Sequence, residues 1–171
     1  RELETTLAHL SNPKSGIMAR VRKRADKLEG GDMLYGVTAD IENRIGQIRL
    51  VAAEFFTALT ELPSPNARDR GSYNIVTVWI SGEMRQGHAW RELCVPGTKL
   101  ADLLWGLNGR LADLISMLEQ FEGEFVNQLA ELSGITANVK GAVDALRLIL
   151  DGTDERYVTS LQIDRNPVSY T

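Results

Sequence analysis

The stretch LADLLWGLNGRLADLISML, residues 100–118, decides the fold because its leucines recur at intervals of three and four residues. This spacing places them along one side of a helix, as the a and d positions of a heptad do. We expect residues 98–132 to form one helix, ended by Ser133 and Gly134, with residues 111–118 at the centre of the core. The two heptad rows consist of Leu100, Leu107, Leu114 and Phe121, and of Leu104, Leu111, Leu118, Phe125 and Leu132.

A second heptad pattern lies nearer the start of the chain, where apolar residues recur every seven positions over residues 34–62. Asp32 offers an N-terminal cap for this helix, and Pro63 prevents its continuation. The apolar positions are Leu34, Ile41, Ile48, Phe55 and Leu62. Shorter helices are expected at residues 1–10, 13–28 and 135–149. The sequence therefore predicts a mainly α fold, a bundle built on two long helices with coiled-coil-like seams.

The segment between the two long helices, residues 72–96, has a different composition. Residues 74–80 are rich in Val, Ile, Thr and Trp, which is typical of a strand. Residues 81–87 then suggest a loop, and residues 88–95 a returning strand. We expect a small antiparallel β-hairpin, extended to three strands if residues 157–171 add a strand rather than an extended arm. Because a lone hairpin is marginal in water, it should pack on the bundle or dock a partner.

The composition fits a single helical domain that covers residues 1–171, with 43% hydrophobic and 25% charged residues. The net charge of -4 indicates neither nucleic acid nor membrane as an obligatory partner. The single cysteine excludes an internal disulfide framework and a multi-cysteine metal site. We expect a soluble chain without signal peptide or membrane span, because no apolar run approaches about 20 residues. The sequence does not indicate a compartment.

Cys94 and His88 are the residues that suggest an enzyme, as a nucleophile with its base. On one strand they would lie about 20 Å apart at ~3.3 Å per residue, whereas a catalytic pair needs hydrogen-bond reach of about 3 Å. His9 could serve as the base only through tertiary structure. We therefore expect Cys94 to be buried or idle. A small enzyme that uses Cys94 stays open as an alternative.

A cluster of acidic residues on the second long helix suggests either a metal site or an enzyme's acid–base group. Glu119, Glu122 and Glu124 have no histidine after His88 to complete the Glu-x-x-His pairs of di-metal bundles. A solvated helix face is the simpler interpretation. No phosphate-binding G-x-x-x-x-G-K-[ST] motif occurs. We expect no catalytic residue, cofactor or metal, with an enzyme built on the acidic cluster as the alternative.

A basic cluster, residues 19–27, is the feature that could bind nucleic acid. Its cations are Arg20, Arg22, Lys23, Arg24 and Lys27. No aromatic residue interleaves them, so the simpler interpretation is the polar face of an amphipathic helix. We predict no nucleic-acid binding at physiological salt, while a nucleic-acid-binding module built on residues 19–27 remains the second alternative.

The leading hypothesis is a non-enzymatic structural or adaptor protein that self-associates or docks another protein, through its helical seams and the hairpin. Such a protein would suit a larger assembly, for example a virion or a secretion machine. Residues 1–30 hold seven basic and four acidic side chains, and residues 98–155 hold four basic and ten acidic ones. These ends could pair within one chain or between copies. The predicted interaction residues are Arg20, Arg22, Lys23, Arg24, Trp79, Met84 and Trp90.

Overall fold

The computed structural model describes residues 2–62, 75–152 and 159–164, with side chains for residues 2–62 and 80–152. The described part is mainly helical, as the sequence predicted. The elements are α1 (Glu2–Ser11), α2 (Ile17–Ala25), α3 (Met33–Thr60), β1 (Ile75–Ile80), α4 (Gly82–Gln86), α5 (His88–Glu119), α6 (Val126–Asp151) and β2 (Thr159–Asp164).

The helices form a bundle with four positions. Helix α5 packs between α3 and α6, while α1 packs against both α3 and α6, and α2 against α3. The broken helix α1–α2 therefore fills the fourth position and closes the ring. The long helices are antiparallel: Arg110 of α5 binds Asp40 near the start of α3, and Gly97 lies beside Phe55 near its end. Because α5 packs between α3 and α6, these two helices occupy opposite positions of the bundle.

The core follows the leucine rows of α5. Leu111, Leu114 and Leu118 have no accessible surface, so the prediction that they lie at the centre of the bundle is confirmed. Every other member of the two rows is buried except Phe121, which is partly buried against the core. The four heptad positions within α3 are buried as well, and so is Leu62 just beyond its end.

The predicted hairpin of residues 72–96 is wrong. Residues 82–86 form the short helix α4, and residues 88–95 are the first two turns of α5 rather than a strand. Trp90 and Leu93 lie at helical spacing from Leu100, so a continuous helix buries all three on one face. The alternation of polar and apolar residues in this segment suggested a strand only because the window was short.

Pro96 also misled the prediction of where α5 begins. Proline lacks the backbone N–H of a helix interior, which favoured a helix that starts after it. In the structure Pro96 lies inside α5, and the helix continues through it. Strand β1 pairs with β2 instead of a neighbouring strand, antiparallel, with Ile75 opposite Asp164 and Ile80 opposite Thr159. The described strands therefore form a two-stranded sheet between distant segments.

The predicted single helix over residues 98–132 is wrong at its end. Helix α5 stops at Glu119, a turn follows, and α6 runs through the expected break at Ser133 and Gly134. Gly123 supports this turn, since its φ of 73° is a left-handed conformation that favours glycine. Phe121 and Phe125 stack edge to face across the turn, with ring centroids 5.7 Å apart. Both keep the heptad spacing, and for that reason the sequence pattern did not reveal the break.

Candidate functional site

The outward side of α3 is uncharged along most of its length. Its exposed residues follow one another at intervals of three and four positions, so they form one continuous strip on the helix surface. Leu50 projects from this strip with 70% of its surface exposed. We call the strip the α3 stripe; its residues are Gly36, Ala39, Asn43, Gly46, Leu50 and Ala53.

The charged residues in the same part of α3 lie beside the stripe and bind other parts of the chain. Asp40 accepts hydrogen bonds from Arg44 and Arg110, which hold the pKa of its carboxyl below the ordinary value. Glu42 binds Arg22, and Arg49 binds Glu4. A solvent-facing helix side ordinarily carries charge. In this part of α3 the charged side chains are partly exposed and paired beside the strip, which is itself neutral. The exposed Glu54 directly follows the last residue of the strip.

Helix α6 carries a similar strip on its own outward side. Its residues are all small, exposed and uncharged. Because α3 and α6 occupy opposite positions of the bundle, the two strips point away from each other. We call this strip the α6 stripe; its residues are Ala130, Gly134, Ala137 and Gly141.

Four glycines in the two stripes have no role in the packing of the part of the chain that the structure describes. A Cβ atom built on any of them would meet no atom within 4 Å beyond its own turn of helix. A glycine inside a helix costs about 1 kcal/mol relative to alanine, and nothing within the described residues compensates for that cost. Their common property is that they let another backbone come close. They are Gly36, Gly46, Gly134 and Gly141.

The basic cluster of α2 makes its contacts within the chain. Arg20 binds Glu131 of α6 through two hydrogen bonds of 2.8 and 2.7 Å, and Arg22 binds Glu42 of α3 at 2.7 Å. Arg24 binds Glu124 in the turn before α6. Lys23 is exposed. The basic residues 1–30 and the acidic residues 98–155 therefore contact each other within one molecule.

Glu131 is the centre of this ion-pair network. Besides Arg20, its carboxylate contacts the Nε2 atom of His9 at 2.7 Å, so one side chain joins α1, α2 and α6. The hydrogen bonds from Arg20, with a smaller contribution from His9, lower the pKa of Glu131 to about 2. The same carboxylate raises the pKa of Arg20. Glu131 thus remains ionised at neutral pH and fastens the broken helix to the bundle.

Two of the other predicted interaction residues, Met84 and Trp90, lie at the end of the bundle where α5 begins. Trp90 is only 4% exposed, and the guanidinium of Arg85 lies 4.9 Å from its ring centroid. Arg85 also donates a hydrogen bond of 2.7 Å to the carbonyl of Ile149 in the last turn of α6. Met84 is partly buried against the core. Trp79 lies in β1 opposite Ser160, and its side chain lies outside the described residues.

Cys94 and His88 lie on a helix, so the geometry assumed for them in the sequence is wrong. Six helical residues separate them by about 9 Å along the axis and place them on different sides of α5. His88 contacts Glu92 at 3.0 Å instead. Cys94 is partly buried, and burial raises the pKa of its thiol. A thiol with a raised pKa is a poor nucleophile at neutral pH.

The acidic cluster does not converge on one point. Glu124 binds Arg24, while Glu119 and Glu122 are exposed. Among the described residues, no group of three or more His, Cys, Asp or Glu side chains is arranged to hold a metal ion. No helix in the described part of the chain has the length and apolar character needed to cross a membrane. The chain matches no protein-family model, no curated protein and no solved structure.

Sequence reasoning missed the outward stripes. It followed the heptad rows, which mark the buried side of each helix. The stripes could have been predicted from the positions opposite the heptad rows, because an exposed helix side without charge is unusual. For Glu131 no such signal exists, because its partners His9 and Arg20 are distant in sequence.

Proposed function

We propose that this chain is a non-enzymatic structural protein that self-associates through the α3 and α6 stripes. The observation that carries the proposal is the pair of neutral outward strips whose glycines serve no packing among the described residues. Small residues let two helices approach closely enough for extensive van der Waals contact. The neutral surface also removes the cost of stripping water from charged side chains.

The proposed contact joins the α3 stripe of one copy to the α6 stripe of the next. Leu50 projects from the α3 stripe, whereas Gly134 and Gly141 leave the α6 stripe flat, so the two surfaces complement each other in shape. Because these stripes lie on opposite sides of the bundle, the contact is heterologous, and repeating it adds further copies in a row or ring. This route differs from the pairing of charged ends, since Arg20, Arg22 and Arg24 are already bound within the chain.

The test is the mass of the protein in solution over a wide range of concentration, by light scattering or sedimentation. We expect the mass to rise with concentration. Gly134→Glu should abolish the rise, because it places a charge at the centre of the contact. Lys140→Glu is the matched control, since it introduces the same side chain at an exposed position of α6 outside the stripe. A monomeric mass at every concentration would refute the proposal.

A further inference from the structure

The turn between α2 and α3 depends on two glycines. Residues 26–32 connect these two helices. Gly30 has a φ of 72°, in the left-handed region that favours glycine. A Cβ atom on Gly31 would overlap the carbonyl oxygen of Ala25 and lie 2.7 Å from its carbonyl carbon. Because both of these atoms belong to the backbone, a side chain at position 31 requires the turn itself to change.

Before this turn, the broken helix α1–α2 lies along the bundle and is held there by apolar and by polar contacts. Its buried apolar side chains expose at most 1% of their surface. They are Leu7, Leu10, Ile17, Met18, Val21 and Ala25. Its polar contacts reach α3, α6 and the turn before α6. They join Glu4 to Arg49, His9 and Arg20 to Glu131, Arg22 to Glu42, and Arg24 to Glu124. The broken helix therefore fits its site in both apolar surface and charge.

We propose that the broken helix is exchanged between copies, so that α1–α2 of one chain occupies the equivalent site on the bundle of a second chain. The polar contacts above all join the broken helix to the remainder of the bundle, and a second copy offers the same partners. Two copies that exchange their broken helices therefore keep each of these contacts and change only the turn at residues 26–32. The exchange is reciprocal, so it closes at two copies and is independent of the α3 and α6 stripes.

The turn decides between the closed and the exchanged form. A closed turn keeps the broken helix beside its own bundle, which raises the effective concentration of the one for the other. A turn that is unable to close loses this advantage, and the contacts of the broken helix are then recovered on a second copy. A substitution at Gly31 should therefore shift the balance from one copy to two.

Mass in solution, by light scattering or sedimentation, measures the exchange. Every sample carries Gly134→Glu, which removes association through the stripes. We expect Gly31→Ala to shift the mass from one copy to two with unchanged helical circular dichroism, because the broken helix stays docked. Gly109→Ala is the matched control, since it adds the same methyl group where no atom lies within 4 Å, and it should keep the mass of one copy. A folded Gly31→Ala protein with the mass of one copy would overturn the proposal.

A pair of charge-reversed variants tests the exchange without altering the turn. Arg20→Glu sets a carboxylate against Glu131 in its own chain, and Glu131→Arg sets a guanidinium against Arg20, so each variant alone has like charges at this contact. In a mixture, both contacts join opposite charges only when the two unlike chains exchange their broken helices. We expect the mixture, unfolded and refolded together, to give a dimer of unlike chains that is more stable to urea than either variant. A mixture with the mass of one copy and the urea midpoints of the separate variants contradicts the proposal, whether or not Gly31→Ala folds.

The exchange and self-association through the stripes fail separately. Gly134→Glu should leave the exchange unchanged, because no described atom of the broken helix lies within 4 Å of a Cβ atom built on Gly134. If the mass of the unchanged protein rises with concentration but the charge-reversed mixture with Gly134→Glu stays monomeric, the exchange proposal fails and self-association stands. If the unchanged protein stays monomeric and the mixture forms the dimer, the reverse holds.

Discussion

At Gly97, α5 comes close to both of its neighbours, α3 and α6. A Cβ atom at this position would lie 2.8 Å from the Cδ2 atom of Leu150 in α6 and 3.0 Å from the Cε2 atom of Phe55 in α3. Both distances are shorter than van der Waals contact, so a side chain here requires Leu150 and Phe55 to shift. The glycine is therefore part of the core packing, although it lies directly after Pro96.

We expect Gly97→Ala to lower the free energy of unfolding by about 1 kcal/mol, because overpacking outweighs the gain in helix propensity. Gly109→Ala is the matched control: it lies on the same helix, is exposed, and has open space in front of it. That change should raise the free energy of unfolding by up to about 1 kcal/mol. Urea denaturation measures both. Equal effects of the two substitutions would mean that the helices are not in contact at Gly97.

At the scale of elements, the buried rows of α3 and α5 could be predicted from the sequence, whereas the residues at which α5 begins and ends could not. The rows depend on burial of leucine and isoleucine, a local property that repeats along the sequence. The start of α5 depends on the burial of Trp90 in the core, and the turn at Gly123 on the burial of Phe125. Burial among residues distant in sequence is a tertiary effect, so it overrides the local signals of Pro96 and of Ser133. The candidate stripes followed from the helices once their true extent was known.

The broken helix α1–α2 is fastened to α6 by Glu131, and this attachment should depend on pH. Its pKa is lowered from 4.5 to about 2, so the folded state binds the proton less tightly than the unfolded state does. The carboxylate therefore stabilises the fold above pH 4.5, and this contribution is lost as the pH falls from 4.5 towards 2. The side chains of Glu131 and Arg20 are 29% and 35% exposed, so screening by water limits the effect to about 1 kcal/mol.

Glu131→Gln tests this dependence. At pH 7 it should lower the free energy of unfolding by about 1 kcal/mol, and the difference from the unchanged protein should shrink steadily as the pH is lowered from 4.5 to 3. Glu122→Gln, at an exposed position, should have no measurable effect at either pH. A difference that persists unchanged at pH 3 would show that Glu131 contributes through packing rather than through charge.

At the scale of the whole molecule, stability and self-association should respond in opposite directions to one substitution. Gly141 lies in the α6 stripe with open space where a side chain would be. Gly141→Ala should therefore raise the free energy of unfolding of the monomer by up to about 1 kcal/mol. The added methyl group also holds the neighbouring copy away, so the association constant should fall, by about tenfold if 1.4 kcal/mol of contact is lost.

Gly109→Ala, which stabilises α5 outside both stripes, should leave association unchanged. Sedimentation across a range of concentrations, with urea denaturation of the same samples, measures both quantities. If Gly141→Ala stabilises the monomer and leaves association intact, the glycines of the α6 stripe do not face another copy, and self-association through this stripe is wrong.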